Sequence, residues 1–138
     1  MMRTSIFLLA ALISVPVFAQ SRTPSADGAR VYFISPVDGA TVTSPVTVKF
    51  GLQGMGIAPA GIVMENTGHH HILVDTGLPS MDMPIPADEH HVHFGKGQTE
   101  TMLNLAPGKH TLQLILGDHT HIPHSPPVIS EQITITVE

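Results

Sequence analysis

Cysteine is absent from all 138 residues, and so is tryptophan. Without a thiolate there is no disulfide framework, no cysteine nucleophile, no thiolate zinc site and no cysteine-ligated copper centre. A lipoprotein anchor, which needs a cysteine at the cleavage point, is not expected either. Basic residues are scarce: Lys and Arg number 6 against 11 Asp and Glu, for a net charge of −5 with His neutral. Such a chain has no electrostatic footprint for nucleic acid and no polybasic segment for anionic lipid. Long apolar helical segments are missing as well, because Gly and Pro, 12 of each, interrupt nearly every stretch.

The first 19 residues read as a secretory signal peptide. Arg3 supplies the positive start, Ile6 to Ile13 the apolar segment, and Val17-Phe18-Ala19 a small-residue cleavage site before Gln20. The apolar run is too short, and too soon broken by Pro16, to span a membrane. The expected product is a periplasmic or secreted protein of about 119 residues, one domain in length, with no membrane anchor.

The rest of the chain carries β signals. Residues 20–28 are small and polar and read as a flexible N-terminal tail. Strands are expected over 30–35, 45–52, 69–75, 98–105, 109–117 and 128–137, from period-2 alternation such as Val46, Val48, Phe50 and Leu112, Leu114, Leu116. Residues 76–97 read as irregular, with Pro79, Pro84 and Pro86 blocking regular ladders. Short strands separated by turn signals suggest an all-β, immunoglobulin-like β-sandwich of about seven strands over residues 29–138.

Histidine is abundant instead, with 10 residues. Nine fall into three groups: His69-His70-His71, His90-His91 with His93, and His119 with His121 and His124. In an immunoglobulin-like topology all three groups meet at one pole, and His110 lies at the other. Alternation puts His69 and His71 on the outward face of their strand and His70 on the core face with Ile72 and Val74. His91 with His93, and His119 with His121, form two further H-x-H pairs, each aiming both imidazoles one way on extended backbone. Neutral imidazole is the commonest protein metal ligand. The expected ligands are His69, His71, His91, His93, His119 and His121, and the expected cofactor is a copper or zinc ion.

Other side chains add less. Met55, Met64, Met81 and Met83 offer thioethers, which favour copper(I), but methionine also fills gaps in cores and loops. Met102 reads as core. Asp75, Asp82, Asp88, Glu89 and Asp118 lie near the histidine groups, as ligands, as acceptors that orient an imidazole, or as solvated charge.

Several segments resemble a family of short exported bacterial proteins catalogued as a domain of unknown function. They are Val31-Tyr-Phe-Ile-Ser-Pro-x-Asp-Gly-Ala40, Val46-x-Val-Lys-Phe-Gly51, Gly54-Met-Gly56, Asn66-Thr-Gly-His-His-His71, Ile85-Pro-Ala87, His93-Phe-Gly95, Gly97-Gln-Thr-Glu100 and Leu105-Ala-Pro-Gly-Lys-His-Thr-Leu-Gln113. The resemblance runs over about residues 30–137 and implies export; it implies no activity. His91-Val-His93-Phe-Gly95 is also similar to the H-x-H segment bearing copper ligands in copper/zinc superoxide dismutases. Against that stand the missing cysteine pair and the lack of any Arg after Arg30 to guide an anionic substrate.

Three functions follow as expectations. The first is metal buffering, tolerance or delivery by an exported histidine-rich protein. The second is a copper-dependent redox enzyme of the superoxide dismutase type; hydrolase signatures such as H-E-x-x-H and G-x-S-x-G are absent. The third is a metal-free sandwich module that meets another envelope protein.

Overall fold

The computed structural model describes residues 21–138. The expected signal peptide and its cleavage site at Ala19 lie outside the described residues. Among the described residues all regular elements are strands: β1 (Arg30–Ser35), β2 (Thr41–Val42), β3 (Val46–Gln53), β4 (Gly56–Ile57), β5 (Thr67–Val74), β6 (His91–His93), β7 (Glu100–Leu103), β8 (Gly108–Gly117) and β9 (Ile133–Val137). They form two packed sheets. One has the order β1-β3-β7; the other runs β2-β9-β8-β5-β4, with β6 also paired to β5. The protein is an all-β sandwich, with β5 and β8 as antiparallel neighbours and β9 beside β8, as expected for an immunoglobulin-like order.

Alternation builds the layer between the sheets. Val46, Val48 and Phe50 of β3 face Ile72 and Val74 of β5, Leu112, Leu114 and Leu116 of β8, and Ile133, Ile135 and Val137 of β9. Each buried aliphatic side chain contributes roughly 1.5–3 kcal/mol relative to exposure. His70 sits in this layer with its ring edge-on to Phe50, centroids 4.9 Å apart.

The outer face of β5 is covered as well. Leu73 and Ile115 pack there beneath Ile85, Met81 and Ile129, a second and smaller apolar cluster. The segment between β5 and β6, with its three prolines, supplies Met81 and Ile85 to this lid. Seven consecutive residues of β5, from Gly68 to Val74, are therefore buried. Burial on both faces explains the polar-looking Gly-His-His-His start of a strand that sits inside the molecule.

Some local expectations change. Residues 91–93, expected as part of an irregular stretch, form β6 against β5, pairing His71 with His93 and Leu73 with His91. Met102 is exposed (61 %) rather than core. It pairs with Thr47 on the solvent face of β3, while Leu103 beside it points inward. Residues 22–25, expected as a free tail, are hydrogen-bonded along the loop that follows β8. Ser125 N donates to Thr23 O (2.9 Å), and Ser25 N donates to Ser125 O (3.2 Å).

Candidate metal centre

The outer face of β5, at the end where β8 finishes, carries His69 and His71. Two antiparallel neighbours fix their surroundings. β8 ends opposite them, pairing His69 with Gly117 and His71 with Ile115. β6 places His93 directly across from His71. The loop after β8 then turns back and sets His121 over the same spot.

Four imidazoles meet there. Ring centroids are 4.8 Å apart for His69 and His71, 5.0 Å for His69 and His93, and 5.0 Å for His71 and His93. His121 lies 4.7 Å from His93, 5.0 Å from His69 and 6.1 Å from His71. Within the group, nitrogens of His69, His71 and His93 all fall within 4.8 Å of one another.

Glycine makes the space. A Cβ on Gly117 would stand 2.8 Å from Cε1 of His71, and one on Gly95 would stand 2.7 Å from Nε2 of His93. Neither contact is compatible with an ordinary side chain. Gly68 does the same one layer below: a Cβ there would meet the Gly117 carbonyl at 2.7 Å and the His124 ring at 2.9 Å.

The nitrogens are buried and unpartnered. His69 and His71 have no exposed surface. Neither ring nitrogen of either residue, nor Nε2 of His93, has a hydrogen-bond partner among the described residues. A buried polar atom left without a partner costs about 1–3 kcal/mol, so such atoms are rare and call for a reason. Burial holds these rings in the neutral form that ligates. It lowers His71 to about 2 and His69 to about 4, with the neighbouring imidazoles adding to the effect. His93 is lowered by burial and then by His121.

Asp118 organises the loop rather than joining the ring cluster. Its carboxylate accepts from Thr23 Oγ1 (2.6 Å), Thr120 N (2.8 Å), Thr120 Oγ1 (2.7 Å) and Ile122 N (3.0 Å). Burial alone would raise its pKa, but these donors win and hold it below the usual carboxylate value.

The six expected ligands divide four to two. His69, His71, His93 and His121 come together. His91 lies two register positions further along β5, opposite Leu73, and its Nδ1 is 2.7 Å from Asp88 Oδ1. That bond holds Asp88 below its usual value. The H-x-H pair of β6 therefore does not enter the imidazole cluster as a pair: His93 joins it and His91 turns to Asp88. His119 stays out because the loop is not extended: His121 adopts φ 71°, and the turn closes on Asp118 through His121 N to Asp118 O (2.9 Å).

The other histidines have separate roles. His124 is buried, with Nε2 3.1 Å from Thr67 O. His90 Nδ1 meets Val74 O at 2.9 Å. His110 pairs with Asp75 at the far end. Of the methionines, Met55 packs against the main core and Met81 against the smaller cluster, while Met64 and Met83 are exposed.

The chain matches the family described as domain of unknown function DUF4399 over residues 48–138. It belongs to that family. The matched region contains β5, β6, β8 and every residue of the imidazole cluster. No curated protein and no solved structure matches the chain.

Proposed function

We propose that this protein is an exported metal-binding protein that holds a copper or zinc ion with His69, His71, His93 and His121, and serves in metal buffering, tolerance or delivery. The observation that carries the reading is the pair of fully buried imidazoles, His69 and His71, with four ring nitrogens lacking any partner. A folded chain gains nothing by burying these atoms unpaired. A cation bound between them satisfies one nitrogen on each ring and offsets the desolvation already incurred. The donor set fits copper and zinc, which both accept imidazole.

Burial separates this site from a surface histidine tract. The ion would sit beneath the 76–90 segment and the 118–126 loop, away from bulk solvent, an arrangement suited to retention rather than rapid exchange. Titration of the metal-free, untagged protein with Zn(II) and Cu(II) by calorimetry at pH 7.5 tests the reading. One equivalent bound at micromolar or tighter dissociation constant, and lost in the His69→Ala/His71→Ala variant, is the expected result. Binding no tighter than millimolar would remove the metal reading and leave the metal-free envelope module.

A further inference from the structure

The fourth imidazole is held differently from the other three. His69, His71 and His93 are fixed by paired strands, whereas His121 rides on a loop and adopts a left-handed backbone conformation (φ 71°). A non-glycine residue in that region is held at a cost and persists where its surroundings fix it. Part of the fixing is local, through the bonds Asp118 makes to Thr120 and Ile122. The rest comes from about 95 residues away in sequence, at the N-terminal edge of the described chain.

Residues 22–25 lie along this loop as a strap. Thr23 Oγ1 donates to Asp118 Oδ2 at 2.6 Å, on the oxygen that Thr120 and Ile122 leave free. Arg22 Nε donates to Pro123 O at 3.1 Å, and its guanidinium also reaches His124 O. Ser125 N donates to Thr23 O and Ser25 N to Ser125 O, a short parallel bridge. Both sides of His121 are thus gripped: Asp118 three residues before it, and Pro123 to Ser125 just after.

We propose that the 22–25 strap positions His121 as the fourth nitrogen of the metal site, so that the site is a closed four-imidazole centre with the strap seated and a three-imidazole centre with an open position when the strap is released. The proposal rests on the metal reading above and assigns Thr23 and Arg22 as positioning residues. The ring separations support four-coordination. With metal–nitrogen bonds of about 2.0–2.1 Å, four imidazole centroids arranged tetrahedrally stand about 5 Å apart. Five of the six pairs lie between 4.7 and 5.0 Å, and the outlier, His71 to His121 at 6.1 Å, involves the loop-borne ring. The distinction matters chemically. A closed site stores or buries the ion, while an open position admits water or the donor atom of an accepting molecule. Release of the strap is then the step that lets the ion leave.

The test uses the protein loaded with cobalt(II) and, separately, zinc(II). Wild type should show the intense visible absorption of four-coordinate cobalt and four nitrogen neighbours to zinc by X-ray absorption. The Arg22→Ala/Thr23→Val variant should lose one nitrogen, gain a water, and release metal at least about tenfold faster. Thr23→Ser, which keeps the hydroxyl, should behave as wild type. His121→Ala should reproduce the strap variant, and adding the strap substitutions to His121→Ala should change nothing further. A strap variant that keeps four nitrogens and the wild-type release rate overturns the proposal alone. Wild type that takes up neither metal overturns the metal reading beneath it.

Discussion

His71 on β5 lies in register opposite His93 on β6, with the two rings 5.0 Å apart and their planes inclined by 29°. Residues directly opposed on neighbouring strands hold their Cβ atoms about 4.5–5.5 Å apart, so their side chains meet. Here the pair sets the fully buried ring of His71 against the half-buried ring of His93, where aliphatic side chains would normally sit. Conformational stability has been exchanged for a set of convergent nitrogens.

That exchange gives the first prediction. In metal-free protein, His71→Leu should raise the unfolding free energy by about 1–3 kcal/mol, because it removes two buried nitrogens that have no partner. The same variant should lose high-affinity metal binding. Chemical denaturation in the presence of a chelator, paired with metal titration, reads both effects. A variant less stable than wild type without metal would show that the ring is held by contacts it satisfies, and would count against a ligand role.

The glycines around the rings supply a second prediction. Gly117→Ala and Gly95→Ala put a methyl group against His71 and His93 respectively, at distances that force the rings to move. Metal affinity should fall by about tenfold or more, since a displaced imidazole loses its aim. Gly68→Ala should act on the fold instead, because its Cβ would meet the backbone carbonyl of Gly117 and push β5 from β8. Thermal melts should show a loss of more than about 2 kcal/mol for Gly68→Ala. Equal effects of all three variants on stability, with unchanged metal affinity, would refute this division.

Acid sensitivity of the metal-free protein is a third expectation. His69, His70 and His71 are all buried, and burial lowers them to about 4, about 4 and about 2, from 6.5 in the unfolded chain. Well above pH 6.5 all three are neutral in both states and contribute nothing to the pH dependence. Below pH 6.5 the unfolded chain takes up protons that the folded chain refuses, so stability falls as pH falls. Between about pH 5.5 and 4.5 the slope should approach roughly 4 kcal/mol per pH unit, three protons' worth. His70→Leu should reduce that slope by one proton, because His70 lies in the main core against Phe50 and away from the cluster. An unchanged slope in this variant would mean that His70 protonates in the folded state.

Much of this was legible in the residues. Alternation in β3, β8 and β9 marks the core side directly, and the histidine groups point to one pole. Period 2 separated His70 from His69 and His71 correctly. Three things were not legible. The outward face of β5 is covered by a proline-rich segment whose path no local pattern encodes, so His69 and His71 are buried rather than exposed. In the 118–126 loop, spacing suggested an extended His119/His121 pair. Asp118 instead closes a turn with Thr120 and Ile122, a capping pattern that Asp-x-Thr offers and that period-2 reasoning overlooks. The contribution of Arg22 and Thr23 depends on contacts about a hundred residues away, which no sequence window contains.

His110 tests the opposite electrostatic logic, outside the cluster. Its Nδ1 is 2.6 Å from Asp75 Oδ2 and its Nε2 is 2.7 Å from Ala106 O, so both nitrogens face acceptors. Only the doubly protonated ring can donate to both, and the pKa of His110 is raised accordingly, chiefly by Asp75. Burial pulls Asp75 upward, but bonds from His110 and Thr111 hold it below its usual value. The raised His110 contributes stability below pH 6.5 that is lost as pH rises through its folded pKa. The depressed Asp75 contributes above about pH 3.8 and is lost as pH falls. The pair is therefore strongest between these limits. His110→Ala should cost up to about 1 kcal/mol near pH 5.5, since the pair is partly exposed, and less at pH 8.5. Metal affinity at pH 7.5 should not change, because His110 pairs with Ile135 at the opposite end of β8 from Gly117. Denaturant unfolding at the two pH values, with one metal titration, checks both parts. A cost that grows from pH 5.5 to pH 8.5 would contradict the charged pair.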